Sequence, residues 1–452
     1  ENIIVNFAIL NHQMLQFIRN NAQFVIMCFT WVFCGMVNET LGVAAVVLSV
    51  IMLKIKGMYK ELILGLIFLL IMSDSRQFEA LYAAQAKNFY IVLLSVFYFF
   101  DRKNFTGTND YFKPFIPFFL WSIAMLMQAP TVNLMNSAMK TLSYILLFTV
   151  VPAYFLKAFR ELGESFLRDV IMLFCCILLA GIIMIPLFPN TVFLVGRFSG
   201  VYGNPNGIGI GCTLLFILVY ISLKKFPGLL DQNEVRLIYG LIILSTLLAV
   251  SRNTMMSIIL FLLFARFYEM GYLAGFAILV VALVAYELIN QNIVAIVEAL
   301  GLGHYLRAEA IEDGSGRLIA WRAAWKQIQS QFFLGRGFAY DEWYFYANRH
   351  WLSALGHQGG VHNSWLALWM NTGLIGLILF AVGFIKTFVR AMHHSKLAFP
   401  ILFAVIFSAS FEAWIMGSLN PFHIILILVL NLIIHYNQFN ADREEESLVS
   451  VS

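Results

Sequence analysis

Apolar runs of roughly 20 residues recur along the whole chain, and they decide what it can fold into. As a helix, a run of this length crosses the hydrocarbon core of a bilayer. Only helices and closed barrels satisfy their backbone hydrogen bonds there. The chain is 61% hydrophobic and 12% charged, whereas soluble domains carry about 25% charged residues. The sequence therefore predicts an all-α polytopic membrane protein.

We predict about 12–14 membrane spans from the length and spacing of the apolar runs. The region 22–130 leaves their exact number open, since two runs there could merge or re-enter the membrane. The predicted spans lie near residues 22–37, 40–53, 61–73, 88–100, 114–128, 141–156, 169–187, 206–223, 236–250, 254–269, 271–290, 363–385, 397–412 and 418–436.

The distribution of Lys and Arg between alternate loops predicts the orientation. Most basic residues of the short loops fall on one side of the membrane, for example Lys54, Lys60 and Arg168. The short loops of the other side hold only Arg76, Lys87, Lys140, Arg197 and Arg252. Because cytoplasmic loops are enriched in Lys and Arg, the first side is predicted to be cytoplasmic, with both termini there.

Arg197 and Arg252 are thus expected on the extracytoplasmic face, against the usual charge bias. Arg197 lies in GRFSGVYGNPNGIGIG, and Arg252 lies in AVSRNTMMS between two spans. Either can be an interfacial arginine that reaches the lipid headgroups. Alternatively they bind an anion, because a guanidinium donates two parallel hydrogen bonds to phosphate. The glycines after Arg197 predict close helix packing rather than a nucleotide loop, since no strand is predicted before them.

The stretch Gly314–Leu377 holds most of the polar part of a long extracytoplasmic loop, 291–362, and then enters a span. Ser315 is expected to cap a helix that begins near Arg317. Apolar residues at helical spacing predict one apolar stripe on this helix, which docks on the bilayer edge or on neighbouring helices; they are Leu318, Trp321, Trp325 and Ile328. Arg317 and Trp321 are one turn apart, so the guanidinium can pack against the indole.

Histidine is the side chain best matched to proton transfer near neutral pH. His362 opens the span VHNSWLALWMNTGLIGL, and His350 and His357 precede it in the same loop. A histidine at the outer end of a span can also simply contact headgroups. The aromatic residues of DEWYFYANRHW fit either an interfacial belt or platforms that stack on sugar rings.

Other features exclude some classes of function. The five cysteines lie inside apolar runs, at spacings that fit neither a metal site nor a disulfide framework. The acidic residues of the loop are scattered, so we predict no metal site, and a net charge of +4 gives no sign of nucleic-acid binding. At the start of the chain, apolar residues predict a helix along the membrane surface; they are Ile3, Phe7, Leu10, Met14 and Phe17.

Four motifs, in this order, resemble the signature of the O-antigen ligase/polymerase family. They are RFSGVYGNPNGIG with the later SRN, then SGRLIAWRAAWKQIQSQFFLGRGFAY, then HNSWL, then NTGLIGL. The resemblance covers roughly residues 190–385 and departs from the family pattern at Asn253, where a glycine is common.

The resemblance implies a GT-C-like membrane glycosyltransferase that needs no metal or other cofactor. Such an enzyme takes glycan from an undecaprenyl-diphosphate carrier on the outer face of the bacterial inner membrane. Carried onto this sequence, the catalytic residues are His362 and Arg317, and the diphosphate is bound by Arg197, Arg252 and Arg317. Fixed cations are what a diphosphate leaving group requires when no metal is present. Secondary candidates are Asn363, Arg322, His357, Glu412 and Trp321.

Several activities remain open. We expect a polymerase, which would join lipid-linked repeat units of O-antigen or another surface polysaccharide. The alternative is a ligase, which would move finished O-antigen to the lipid A core. The implied partners are this lipid-linked donor, a glycan or lipid A core acceptor, membrane lipid and, as a candidate, a chain-length regulator. The alternative from another class is a lipid-linked oligosaccharide flippase, which predicts charged residues along the middle of several spans, where this chain has few. A protein O-oligosaccharyltransferase is not expected, since no soluble domain follows the last predicted span.

Three segments are predicted. Residues 1–190 form an N-terminal membrane scaffold, residues 191–385 the ligase/polymerase-like domain with loop 291–362, and residues 386–452 the last helices with a cytoplasmic tail.

Overall fold

A computed structural model describes residues 16–77, 80–105, 111–271, 316–357 and 359–451, together with residues 274, 277 and 281. In these residues the structure is helical except for loops and one two-residue hairpin, in which β1 (Phe193–Leu194) pairs antiparallel with β2 (Arg197–Phe198). Within the described part of the chain, five helices are long and apolar enough to cross a membrane. The predicted helical, polytopic membrane protein is confirmed.

The helices follow the apolar runs of the sequence. They are α1 (Ala22–Val37), α2 (Glu39–Ile55), α3 (Tyr59–Ser73), α4 (Leu81–Phe100), α5 (Ile116–Ala124), α6 (Leu134–Leu162), α7 (Glu164–Leu187), α8 (Pro189–Val192), α9 (Pro205–Lys225), α10 (Gln232–Ala249), α11 (Arg252–Met270), α12 (Arg317–Ser330), α13 (Tyr340–Ala347), α14 (Arg349–Ala354), α15 (Ser364–His394), α16 (Ala398–Phe411) and α17 (Pro421–Val451). Short 3-10 turns lie at Arg102–Asn104, Lys113–Phe115, Met125–Gln128 and Thr131–Asn133.

Each predicted span that falls within the described residues coincides with a helix. The long apolar helices are α4, α6 with its preceding 3-10 turn, α7, α9 and α15. The predicted span 271–290, apart from four of its residues, and most of the predicted surface helix near residue 10 lie outside the described residues. The total number of spans therefore stays a prediction.

The described residues form two compact units that alternate along the sequence. The first contains parts of 1–111, 146–254 and 419–452, and the second contains 112–145 and parts of 255–418. This division rests on contacts in space, and the three-segment organisation predicted above stays a prediction.

The first unit buries the start of α9. Asn204 caps this helix by accepting a hydrogen bond from the backbone N–H of Gly207 (2.8 Å), and Pro205 lies in the first turn, as its fixed φ favours. A Cβ on Gly209 would lie only 2.2 Å from Thr254 Oγ1. The glycines of α9 thus allow close packing, as the sequence predicts.

The second unit is built around a break in α15. Gly373 has φ 69° and ψ −178°, so the helical hydrogen bonds are interrupted there. The loop between α12 and α13 fills the break: the N–H of Arg336 donates to Met370 O (3.1 Å) and that of Gly337 to Asn371 O (2.8 Å). Backbone groups that the break leaves unpaired are thereby satisfied.

At the same joint, α15 also donates a hydrogen bond to the loop that follows α12. The N–H of Leu374 donates to Phe332 O (2.9 Å). The buried side chains of Asp341 and Asn371 also pair, with Asn371 Nδ2 donating to Asp341 Oδ1 (2.9 Å) and the Asp341 N–H donating to Asn371 Oδ1 (3.0 Å). The motifs FFLGRGF and NTGLIGL are therefore two halves of one structural joint, which fixes the position of α15 relative to α12.

Candidate active site

Arg317, Glu412 and His362 form one hydrogen-bonded group in the second unit. Arg317 Nη2 lies 2.7 Å from Glu412 Oε1, and His362 Nδ1 lies 3.0 Å from Glu412 Oε2. Each carboxylate oxygen thus has a partner within this group. The exposed fraction of the side chain is 9% for Glu412, 19% for Arg317 and 28% for His362. Glu412 lies innermost, and the histidine is the member most accessible from outside.

The residues that follow His362 hold this group in place. Asn363 is the N-cap of α15, where its Oδ1 accepts hydrogen bonds from the N–H groups of Trp365 (2.9 Å) and Leu366 (3.0 Å). Its Nδ2 donates to the carbonyl of Ser410 (2.9 Å), just before Glu412. A single amide therefore both starts the helix and attaches it to the end of α16.

Ser364 ties the same two segments together a second time. Its Oγ donates to the carbonyl of Glu412 (2.7 Å) and accepts from the N–H of Ile415 (3.2 Å). Trp365 Nε1 adds a bond to Ser410 Oγ (3.2 Å). Asn363, Ser364 and Trp365 of the HNSWL motif thus bind residues 410–415, and His362 binds the carboxylate that those residues carry.

His362 itself has a backbone conformation that few residues adopt. Its φ is 47°, in the left-handed region, where a residue with a Cβ costs of order 1–3 kcal/mol. The bonds of Asn363 and Ser364 hold the chain in this conformation. Strain of this kind concentrates at functional positions, where the side chain must point in one direction.

The electrostatics favour an ionised carboxylate. Burial acts to raise the pKa of Glu412, but the hydrogen bond and charge of His362 and the charge of Arg317 outweigh it, so the pKa lies below its ordinary value. A carboxylate can only accept hydrogen bonds, so His362 Nδ1 must carry the proton in this pair. Neutral His362 then has an unprotonated Nε2, which can take a proton from a substrate.

Arg317 is the first residue of α12, where Gly316 is the N-cap with φ 75° and no side-chain cap is present. Ser315, which was predicted to cap this helix, lies outside the described residues. The guanidinium carbon lies 5.9 Å from the ring centre of Phe411, and the Trp321 ring lies 6.3 Å from the same ring. The predicted packing of Arg317 on Trp321 is replaced by a shared contact with Phe411.

The predicted apolar stripe of α12 is only partly buried. Leu318 and Trp325 are exposed, and only Ile328 of the predicted stripe is buried. The buried face is completed by small residues, namely Ala320, Ala323 and Ala324. Close packing between helices favours small side chains, and large apolar ones can instead face lipid. Arg322, a secondary candidate, is exposed.

His357 is buried beside His362 with 5.7 Å between the ring centres. Its Nε2 lies 3.0 Å from the carbonyl oxygen of Gly360. Burial and the nearby His362 lower the pKa of His357. One ring nitrogen of His357 is engaged by the backbone, whereas His362 is held by a carboxylate and is partly exposed, so His362 is the better placed base. His350 is exposed.

Arg197 and Arg252 belong to the first unit, and the structure places Arg197 on the turn that leads to Arg252. Arg197 Nε donates to the carbonyl of Ala249 (2.9 Å), and its Nη2 to Asn206 Oδ1 (3.0 Å) and the carbonyl of Val250 (3.3 Å). These bonds satisfy carbonyls at the C-terminal end of α10. Arg252 is the first residue of α11 and is partly exposed. The binding of diphosphate by these two arginines stays a prediction.

Sequence reasoning did not identify Ser364 or Phe411, and it ranked Glu412 below the arginines. Ser364 follows a capping asparagine, so local sequence explains it as part of a helix start. Its bonds to Glu412 and Ile415 are made across about 50 residues of chain. An acidic residue at the end of an apolar span was the signal available for Glu412.

Part of the chain matches a known protein family. Residues 207–381 match the family model described as O-antigen ligase, and no curated protein matches the chain. The matched segment includes Arg252, Arg317 and His362, but Arg197 precedes it and Glu412 follows it. The resemblance to this family seen in the sequence is confirmed.

Proposed function

We propose that this chain, which carries an O-antigen ligase family domain, is an inverting, metal-independent glycosyltransferase. It moves glycan from an undecaprenyl-diphosphate carrier to a sugar hydroxyl, on the outer face of the bacterial inner membrane. The observation that carries the proposal is the group Arg317–Glu412–His362, in which an oriented histidine lies beside a cation. The family match supports the general class of reaction.

His362 is the proposed general base. Its Nε2 takes the proton of the acceptor hydroxyl while the hydroxyl oxygen forms a bond to the anomeric carbon of the donor. The bond from that carbon to the diphosphate oxygen breaks, and the diphosphate leaves with the electron pair. A single displacement of this kind inverts the anomeric centre. General base catalysis typically contributes about 10²–10⁴-fold.

The net charge of the group Arg317–Glu412–His362 changes during this step. Before the transfer the charges of the Arg317–Glu412 pair cancel. Once His362 has accepted a proton, the group of three carries one net positive charge. That charge appears as negative charge develops on the leaving diphosphate, which is when its stabilisation lowers the barrier. Arg197 and Arg252 are proposed to bind the diphosphate as well.

The acceptor is proposed to be another lipid-linked repeat unit, which makes the protein a polymerase of O-antigen or a related surface polysaccharide. The description of the matched family favours a second candidate, an O-antigen ligase with lipid A core as the acceptor. Purified protein reconstituted in liposomes with one lipid-linked repeat unit separates the two. A ladder of longer products supports the polymerase, whereas product formed only after lipid A core is added supports the ligase.

The same reconstitution tests the remaining parts of the proposal. Transfer should continue in EDTA, and loss of activity that a divalent ion restores would contradict metal independence. A flippase would move the lipid-linked glycan across the bilayer without forming a new glycosidic bond. Reagents that label introduced cysteines from outside the cell should reach positions near His362 if the site faces the periplasm, and should not reach the tail near Arg443.

A further inference from the structure

A cavity of about 270 Å³ lies next to His362 in the second unit. Its lining residues come from α14 and the loop that leads to α15; they are Arg349, His350, Leu352, Ser353, His357 and Gly359. Pockets for drug-sized ligands have volumes of about 300–1,000 Å³. This cavity is therefore suited to a ligand of about one sugar ring.

Gly359 connects the cavity to the proposed base. A Cβ on Gly359 would lie 3.0 Å from His362 Nε2, the nitrogen that is left unprotonated when Nδ1 donates to Glu412. The bare backbone of Gly359 thus leaves space beside that nitrogen. Gly359 is thus both a lining residue of the cavity and a neighbour of the nitrogen that is proposed to take the proton.

The polar lining has one sign of charge. Arg349 is a permanent cation. His350 and His357 have ring nitrogens that can form hydrogen bonds with oxygen groups, and Ser353 adds a hydroxyl. Among the residues that the structure describes, the lining includes no carboxylate. Arg349 is held in place, because its guanidinium carbon lies 4.3 Å from the ring centre of Tyr346 and its Nη1 donates to the carbonyl of the same residue (3.3 Å). Its side chain is otherwise exposed and can pair with an anion.

We propose that this cavity binds the terminal sugar ring of the acceptor glycan, and that this ring carries a negative charge next to Arg349. The proposal rests on the proposed function, since His362 must be the base for the cavity to be an acceptor site. Carboxylate and phosphate substituents share the chemistry that Arg349 recognises, so a uronic acid and a sugar phosphate both fit.

Binding of small sugars to the intact protein in lipid nanodiscs tests this proposal without requiring transfer. Saturation-transfer NMR would compare glucuronic acid, glucose 6-phosphate and glucose, which differ in charge but share a pyranose ring. We expect at least one charged sugar to bind about tenfold more tightly than glucose, because a charge-assisted hydrogen bond contributes about 1.5–3 kcal/mol. The charged sugar that binds more tightly identifies the substituent. Equal binding of all three would overturn the proposal.

Substitutions in and outside the cavity test whether the charged sugar binds next to Arg349. Arg349→Ala should remove the preference for the charged sugar, while Lys326→Ala, which removes an exposed cation of α12, should keep it. Ser353→Trp should fill the cavity and weaken binding of every sugar. A charge preference that survives Arg349→Ala in folded protein would show that the anion binds elsewhere.

The proposed acceptor site and the proposed glycosyltransferase function can be contradicted separately. His362→Ala should lose transfer and retain binding of the charged sugar. Transfer by the wild-type protein without any charge preference would overturn the acceptor site alone. Binding of the charged sugar that depends on Arg349, with no transfer from any lipid-linked donor, would overturn the proposed function alone.

Discussion

Ser364 Oγ donates a 2.7 Å hydrogen bond to the backbone carbonyl of Glu412. The helix that begins directly after His362 therefore also holds the residue whose carboxylate orients the His362 ring. The base and its orienting group are positioned by one local structure, although about 50 residues of chain separate them. Each member of this structure makes a separate, measurable contribution.

His362→Ala should reduce the rate of glycan transfer at least about 100-fold, because the general base is lost. Membrane insertion and thermal stability should change little, since the side chain is partly exposed. Transfer rates in proteoliposomes and a melting curve in detergent measure both effects. His393→Ala, which changes an exposed histidine at the far end of α15, is the control and should keep full activity. Normal transfer by the His362 variant would remove it as the base.

Substitutions of Arg317 and Glu412 should have non-additive effects on kcat. Arg317→Ala leaves the buried Glu412 carboxylate with His362 as its remaining partner in this group, and Glu412→Gln removes the charge that fixes the His362 ring. We expect each change to lower kcat more than tenfold and the double variant to be little worse than the poorer single one, with a coupling of about 1–3 kcal/mol. Arg317→Lys should recover part of the activity, because lysine keeps the charge and loses the planar geometry. Additive effects on kcat would show that the two residues act independently.

Two functions of Asn363 can be separated by one substitution. Asn363→Asp keeps an oxygen that accepts from the N–H groups of Trp365 and Leu366, so the cap and the melting temperature should be preserved. It loses the Nδ2 donor to Ser410, so the end of α16 should move and the transfer rate should fall about tenfold. Asn363→Ala should also lose about 1 kcal/mol of stability.

The control for this experiment is the same change at another helix start. Asn38 caps α2 by accepting from Thr40 and Leu41, away from the candidate site in sequence. Asn38→Asp should leave both stability and transfer unchanged. If Asn363→Asp were fully active, the bond to Ser410 would have no part in positioning Glu412.

The sequence predicted the arginine and histidine of this site because they stand in motifs with family-specific spacing. It named Glu412 only as a secondary candidate and did not identify Phe411, since 95 positions of the chain separate Arg317 from Glu412 and local sequence does not show such a contact. The apolar stripe of α12 did not show which face of the helix is packed, for a physical reason. In a membrane protein, large apolar residues such as Trp325 are stable next to lipid, so hydrophobic spacing does not identify the packed face.

The helix positions were predictable because apolar length is a direct requirement of the bilayer. The break in α15 was not, although Gly373 is visible in NTGLIG. A glycine in a span can serve close packing as well as a break, and only the bonds from Arg336 and Gly337 distinguish the two. The family motifs therefore contain both structural residues and candidate catalytic residues, and the sequence alone does not distinguish the two kinds.

Asp341 should make stability depend on pH. Burial raises the pKa of this carboxyl to about 6 from 3.8, with the charge of Glu342 acting in the same direction. A native pKa above the unfolded one means that the folded protein binds the proton more tightly. The stabilisation is present below pH 3.8 and is lost as pH rises through 6.

The comparison of the wild type with Asp341→Asn isolates this effect. Asparagine can still accept from Asn371 Nδ2 but does not ionise. Between pH 4 and pH 7 the free energy of unfolding of the variant should rise relative to the wild type by about 2 kcal/mol. Unfolding in detergent at several pH values measures the difference. A difference that is constant with pH would show that Asp341 ionises normally in the folded protein.

Gly373 should be the position of α15 at which a substitution destabilises the protein most. Its φ of 69° is strained for any residue with a Cβ, and an added Cβ would lie 2.1 Å from the carbonyl oxygen of Phe333. Because that contact is with backbone, it cannot be relieved by a side-chain rotation. Gly373→Ala should therefore separate the GRGF loop from α15 and lower the free energy of unfolding by more than about 3 kcal/mol.

The matched control is Gly240→Ala in α10, where a Cβ meets no atom within 4 Å. Alanine is the better helix former by about 1 kcal/mol, so this variant should be as stable as the wild type or more so. Transfer should fall in Gly373→Ala even at temperatures where the protein remains folded, because the joint at Gly373 fixes α15 against α12. Helix α12 begins at Arg317, and α15 begins two residues after His362. A folded Gly373 variant with normal kcat would show that the joint stabilises the fold without positioning the base.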